Sequence, residues 1–388
     1  MNWPFSQRPG DGDVTGGSGN VPCVSTPRPV LIAALAAAAI VVSACNSAPS
    51  PVDESSLPQL TEAAVAESPP ADYTDGRVFR PGGVLADSEL TDLAVAAGDV
   101  LAVRSGGHLG IGTPEQFEAG DNAVVDIAAG CGPLSARETT FVLACPDEED
   151  GGIIRLFDAD FPGSSETIRV SAPVTAAAVT DDGRILAGAS GDGDVLVISP
   201  GGSGESDTDA RIAIKDSVDQ LITVPVSRES DRAVVIDRGN TVISGVDWTN
   251  SKPGAALRAG LGVGRLTVGE PGTGVVFASD TRGGQLLVYT VSPVIMLHQM
   301  ATAGASPWAL TWDSGNQVVW VSDTADNLIT AYSVAEGVPV AVGSLHSAAD
   351  IRGLGITRSG DLIAVGSDGI QIVDATTRGS ALEDTITS

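Results

Sequence analysis

Val275-Val-Phe-Ala-Ser-Asp-Thr-Arg-Gly-Gly-Gln-Leu-Leu-Val-Tyr-Thr-Val291 and Val318-Val-Trp-Val-Ser-Asp-Thr-Ala-Asp-Asn-Leu-Ile-Thr-Ala-Tyr-Ser-Val334 align without a gap, their starts 43 residues apart (318 − 275). Each is a run of β-favouring residues, a polar turn holding Asp-Thr with Gly or Asn, and a second β-favouring run closing on Tyr-x-Val. Two such runs around a polar turn read as a β-hairpin, and a hairpin recurring at a fixed interval marks a repeat architecture. With more drift the unit returns as Ala233-Val-Val-Ile-Asp-Arg-Gly-Asn-Thr-Val-Ile243, as Ile185-Leu-Ala-Gly-Ala189 with Val195-Leu-Val-Ile198, and as Leu362-Ile-Ala-Val365 with Ile370-Gln-Ile-Val373. Weaker copies stand at Val100-Leu-Ala-Val103 and Phe141-Val-Leu-Ala144.

Hairpin starts near residues 100, 141, 185, 233, 275, 318 and 362 are 41 to 48 residues apart, the length of a four-stranded propeller blade. A further strand precedes the hairpins, read at Thr175–Val179, Gly264–Val268, Trp308–Trp312 and Gly353–Ile356, and its small residues suit an innermost position around a central axis. The expected fold is therefore all-β, a seven-bladed β-propeller of four-stranded antiparallel blades over residues 73–388. A β-sandwich gives similar local patterns but not seven equal intervals. Arg77-Val-Phe-Arg80 is placed as the outer strand of the last blade, closing the ring and removing an exposed sheet edge.

Residues 1–44 read as a leader and signal peptide. Val30–Val42 is thirteen apolar residues behind Arg28, short for a membrane-spanning helix and of the length of a signal-peptide core. Val42-Ser-Ala-Cys45 resembles the bacterial lipobox, whose cysteine carries lipid in the mature protein; a plain secretory cleavage site or an uncleaved anchor are the alternatives. Residues 45–72, rich in Ser, Pro, Ala and acidic side chains, then read as a flexible tether from membrane to body. The expected location is the extracytoplasmic face of the cell membrane. In that oxidising setting Cys131 and Cys145 are expected to form a disulfide, in preference to a two-cysteine metal site without nearby histidines.

A net charge of −28 over 388 residues excludes general nucleic-acid binding, since phosphate backbones are repelled. No nucleophile elbow, phosphate loop, zinc-ligand run or cofactor motif is present. Gly191-Asp-Gly-Asp194 is a fragment of a calcium loop and reads better as a hairpin turn. Of the three histidines, His108 and His298 read as surface or packing residues and His346 is placed just before the innermost strand of the last blade. Arg238, Arg265, Arg282 and Arg352 flank the repeat turns and inner strands. Brought to one channel mouth with His346 they form a candidate site for an anionic group; paired with neighbouring Asp residues they merely fix turns. Trp308 and Trp312, four apart, are expected on one strand face, packing blade against blade, with an aromatic ligand platform as the alternative.

Asp237-Arg-Gly239, Ala256-Leu-Arg-Ala-Gly-Leu-Gly262, Asp280-Thr-Arg-Gly-Gly-Gln-Leu-Leu-Val-Tyr289 and Val319-Trp-Val-Ser322 with Asn327 resemble the LppL-type conserved lipoproteins of actinobacteria. More loosely, the last of these is similar to YVTN-repeat propellers. The resemblance implies a cell-envelope lipoprotein with a propeller body and brings no catalytic residues. Two functions follow as expectations: a non-catalytic binding or scaffold module for an envelope protein or small anionic ligand, or a channel-mouth hydrolase resembling lactonase-type propellers, with Arg352 and His346 supplying two of its parts. Cys45→Ala is expected to move the protein from the membrane to the soluble fraction; membrane retention after signal cleavage would refute the lipid anchor.

Overall fold

The computed structural model describes residues 62–147, 151–189, 193–201, 208–214 and 217–383. The leader, Cys45, the first part of the tether and Gly191-Asp192 lie outside them. The described body belongs to a single compact unit, Leu57–Ser388, and none of its helices is long and apolar enough to cross a membrane.

Strand β1 (Arg77–Phe79) opens a fold of seven four-stranded antiparallel sheets, the last of which it completes. Blade one holds β2 (Leu90–Ala96), β3 (Val100–Ser105), β4 (His108–Gly112) and β5 (Ala123–Asp126), with the short helix α1 (Pro114–Ala119) before β5. Blade two holds β6 (Ser135–Arg137), β7 (Thr140–Pro146), β8 (Gly152–Asp158) and β9 (Ser165–Val170). Blade three holds β10 (Val174–Val179), β11 (Ile185–Ala189), β12 (Asp194–Ile198) and β13 (Thr208–Ala213). Blade four holds β14 (Gln220–Val224), β15 (Arg232–Asp237), β16 (Val242–Asp247) and β17 (Lys252–Arg258). Blade five holds β18 (Val263–Val268), β19 (Val275–Asp280), β20 (Gln285–Thr290) and β21 (Met296–Thr302). Blade six holds β22 (Pro307–Asp313), β23 (Val318–Asp323), β24 (Leu328–Ser333) and β25 (Val340–His346). Blade seven holds β26 (Gly353–Ile356), β27 (Leu362–Gly366) and β28 (Gly369–Val373), and helix α2 (Ala375–Glu383) follows. Its fourth strand is β1, paired antiparallel with β28 from Arg77↔Ile372 to Phe79↔Ile370. The seven-bladed propeller and its closure by the N-terminal strand are thus as expected.

The second strands are apolar without interruption because both their faces are interior. Along β23, Val319 and Val321 join Phe277 and Leu286 of blade five, whereas Val318 and Trp320 join Leu354 and Leu362 of blade seven. Alternation of period two thus feeds two interfaces from one strand. Seven apolar clusters result, one at each junction between neighbouring blades. Polar side chains of the inner strands add links from one blade to the next: Ser135 Oγ donates to the Ala177 carbonyl, Thr175 Oγ1 to Val218, Thr223 Oγ1 to Val179 and Gln220 Nε2 to Leu266.

The repeated Ser-Asp-Thr has a structural role in each copy. Asp280, almost fully buried, accepts from the backbone N–H groups of Leu261, Gly262 and Gly283 at 2.9 to 3.0 Å. Asp323 does the same for Ala305, Ser306 and Ala325, and Asp237 for Ser217 and Asn240. Each carboxylate therefore ties the loop that brings the chain back from the previous blade to its own hairpin turn. Ser279 Oγ and Thr281 Oγ1 meanwhile donate to Trp308 and Pro307 of the next blade. Asp280→Ala leaves three buried donors without an acceptor and is expected to cost about 3 kcal/mol or more, read as a lower urea midpoint with unchanged slope. An undiminished midpoint would show that this turn does not hold the ring.

Candidate functional site

All seven inner strands line a central cavity of about 240 Å³, walled by apolar groups such as Val95, Ala178, Leu266 and Leu310 with Gln220 and Thr223 among them. In blades of this topology the start of each inner strand and the end of each second strand reach the same face. On that face a wider mouth of about 430 Å³ is lined by Asp92, Arg104, Asp219, Arg238, Arg265 and Trp308 together with the loop through Gly130 to Pro133. Asp92 and Arg265 border both spaces, so the mouth opens onto the channel.

Local backbone geometry aims these side chains. The ladder between inner and second strand is irregular between Leu90 and Asp92, between Val263 and Leu266, and between Pro307 and Leu310. Such bulges turn a side chain out of strict alternation, and Arg265 and Trp308 sit inside them. The expectation that Trp308 and Trp312 share a face fails for this reason. Trp312 stacks on Phe277 with ring centroids 5.5 Å apart, packing blade six on blade five as expected. Trp308 instead lies at the mouth, its indole 5.8 Å from the guanidinium carbons of both Arg238 and Arg265.

Arg265 of blade five reaches across the channel to Asp92 of blade one, Nη2 to Oδ1 at 3.0 Å, with only 15% and 7% of the two side chains exposed. Asp92 also accepts from Leu134 N at 2.7 Å. Arg238 donates through Nε to the Gly264 carbonyl at 2.7 Å, and its own N–H is held by Asp219 Oδ2 at 2.6 Å. Burial, then the neighbouring charge of Arg265, pushes the Arg238 guanidinium down to about 10, against the pull of Asp219, Asp92 and Glu62; it stays charged at neutral pH. Arg104 donates to the carbonyls of Cys131, Gly132 and Ala129 at 2.6 to 3.0 Å, and burial, followed by Arg265, lowers its pKa as well. The Cys131–Cys145 disulfide is formed, pinning the loop whose carbonyls hold Arg104; closing a ring of this size contributes about 3 kcal/mol by loop-closure entropy. Two buried donors at the mouth, Arg265 Nε and Trp308 Nε1, have no acceptor among the described residues.

The other sequence candidates are distributed less tightly. Arg352 lines the central cavity and pairs with its neighbour Asp350 at 3.6 Å, close to the turn-fixing reading. Arg282 is exposed in the turn between β19 and β20 on the same face. His346 does not stand beside the innermost strand of the last blade: it ends β25, the outer strand of blade six, three strand spacings or roughly 14 Å from the channel wall. There its ring is 59% exposed, 3.3 Å from Asp75 and edge-on to Tyr73. Arg352 and His346 are therefore not brought to one point. His108 pairs with Asp126 and His298 with Thr290. Among the described residues no group of three or more His, Cys, Asp or Glu is placed to hold a metal ion.

Sequence reading passed over Arg104, Asp92 and Asp219. Arg104 carried a signal: it stands four residues into its second strand, where the other copies have Ser279 and Ser322.

No protein-family model matches the chain, and no curated protein is similar to it. Among solved structures the fold is widespread, with 1067 matching chains, so it does not by itself select a function. One, a chain in the crystal structure of a mitotic checkpoint complex, superposes with a TM-score of 0.59 at 12% identity, over 80% of this chain and 95% of that one. At that identity the likeness shows the propeller fold alone.

Arg265→Gln removes the cation in direct contact with buried Asp92 and is expected to cost about 3 kcal/mol in urea unfolding, with the double variant Arg265→Gln/Asp92→Asn recovering part of it. Strictly additive losses would show that the cross-channel pair is not coupled.

Proposed function

We propose that this chain is an exported, lipid-anchored protein whose propeller is a non-catalytic binding module, recognising an acidic envelope partner at the arginine-lined mouth. The observation that carries this reading is the convergence of Arg104, Arg238 and Arg265 on one mouth, the last two against the Trp308 indole, with two buried donors left without acceptors among the described residues. In a chain of net charge −28, three clustered arginines are the local exception, and such forks suit carboxylate or phosphate groups. The anchor rests on Val30–Val42 and Cys45 standing in register, and kinship with LppL-type lipoproteins or YVTN-repeat propellers rests on the motifs quoted above. The checkpoint-complex chain offers a precedent for a propeller held within an assembly. A lactonase-like hydrolase draws less support, because His346 stands on the outer rim, away from Arg352.

The test is capture of partners from envelope extract by the exported full-length protein and by an Arg282→Glu/Arg352→Glu variant, which reverses charge on the mouth face at two positions outside the tight cluster. A partner recovered by the wild type is expected to fall roughly tenfold or more in the variant. An Arg211→Glu control, on the outer strand β13, should leave recovery unchanged. Equal recovery by wild type and mouth variant would overturn the reading.

A further inference from the structure

The stretch that reads as tether does not simply leave the body. Working back from β1, Gln371 Nε2 holds the Asp75 carbonyl at 2.7 Å on the rim of blade seven. Asn327 Nδ2 donates to the Pro69 carbonyl at 2.7 Å. Ser68 is fixed three ways: its N–H donates to Asp350 Oδ1 at 3.0 Å, its hydroxyl donates to the Thr324 carbonyl at 2.7 Å, and the same oxygen accepts from Asp350 N at 2.8 Å. Ala66 N donates to Ser306 Oγ at 2.9 Å, just ahead of inner strand β22. The segment thus runs inward from rim to mouth along the junction of blades six and seven. Four further residues, at roughly 3.3 Å each, reach about 13 Å beyond Ala66, and Glu62 comes within electrostatic range of Arg238.

The charges at the mouth suit an acidic residue. Arg104, Arg238 and Arg265 carry three positive charges against the two negative charges of Asp92 and Asp219, an excess of one that a single carboxylate balances. The groove outside the mouth offers hydroxyl, carboxylate, carbonyl and amide partners to an extended backbone, and the segment uses them through Ala66 N, Ser68 N and Pro69 O.

Resting on the binding reading above, we propose that the mouth and the groove leading to it form a docking site for an extended acidic peptide of a partner protein, and that Glu62–Pro69 occupies this site as a tethered stand-in until displaced. A segment joined to the body by a few residues competes at an effective concentration of the order of millimolar. An external peptide therefore binds with an affinity reduced by the fraction of time the site is open.

The probe is a fluorescent synthetic peptide of the chain's own residues Leu60–Asp72, titrated by anisotropy against the full chain. Glu62→Gln/Ser68→Ala in the protein removes the inner carboxylate and two of the serine's bonds; it is expected to tighten peptide binding at least tenfold over wild type. The same peptide carrying Glu62→Gln is expected to bind that variant about tenfold more weakly, and Trp308→Phe, which replaces the indole by a smaller aromatic ring without the N–H, to weaken it several-fold. Equal peptide affinity for wild type and released variant, no binding to either, or displacement of the peptide by free glutarate at equal concentration would each overturn the proposal. These failures are separable from failure of the binding reading: loss of partner capture on reversing Arg282 and Arg352 would still uphold that reading, and unchanged capture would sink it whatever the peptide does.

Discussion

Everything on the mouth face hangs on carboxylates that never see solvent. Asp237, Asp280 and Asp323 each accept backbone N–H groups from two directions, the loop arriving from the previous blade and the turn of their own hairpin. A hydroxyl in that place would satisfy fewer donors, and a buried N–H without an acceptor is costly. These loops deliver inner strands β14, β18 and β22, and the last two carry Arg265 and Trp308. The repeat therefore conserves in its own copies the part that sets geometry, while the residues free to differ are displayed around the opening.

The architecture was legible because its cause is local. Period-two burial on both faces makes each second strand a mainly apolar run, and the two clearest copies share the Ser-Asp-Thr chemistry of their turns. The site was legible only in part, because its cause is not local. Arg265 and Asp92 meet across the channel from blades that are not neighbours, a proximity that no periodicity encodes. Trp308 was misplaced by two-residue counting because a bulge intervenes. His346 does precede the last inner strand in the chain, but it closes the outer strand of blade six, so its place in sequence did not carry it to the channel mouth. The docked segment was invisible for a related reason: Ser68 and its neighbours are held by hydrogen bonds rather than by buried apolar groups, so their composition is that of a tether.

Electrostatically the molecule has two characters. Its large negative charge keeps most of the surface repulsive toward anions, and three arginines are gathered at the mouth, where partial burial strengthens their field. The disulfide belongs to this arrangement as much as to stability, since Arg104 is braced by the carbonyls of the loop it pins. Oxidation of two thiols on blade two thus fixes the position of a charge contributed by blade one.

The seam between β1 and β28 joins the earliest described strand of the chain to the last strand of its final blade. A chain still being made lacks the finished seventh blade and leaves an open end where Phe79 has yet to meet Ile370 and Arg77 to meet Ile372. The ring can shut only when β28 is available to β1, so these two strands act as a clasp that records completion of the propeller.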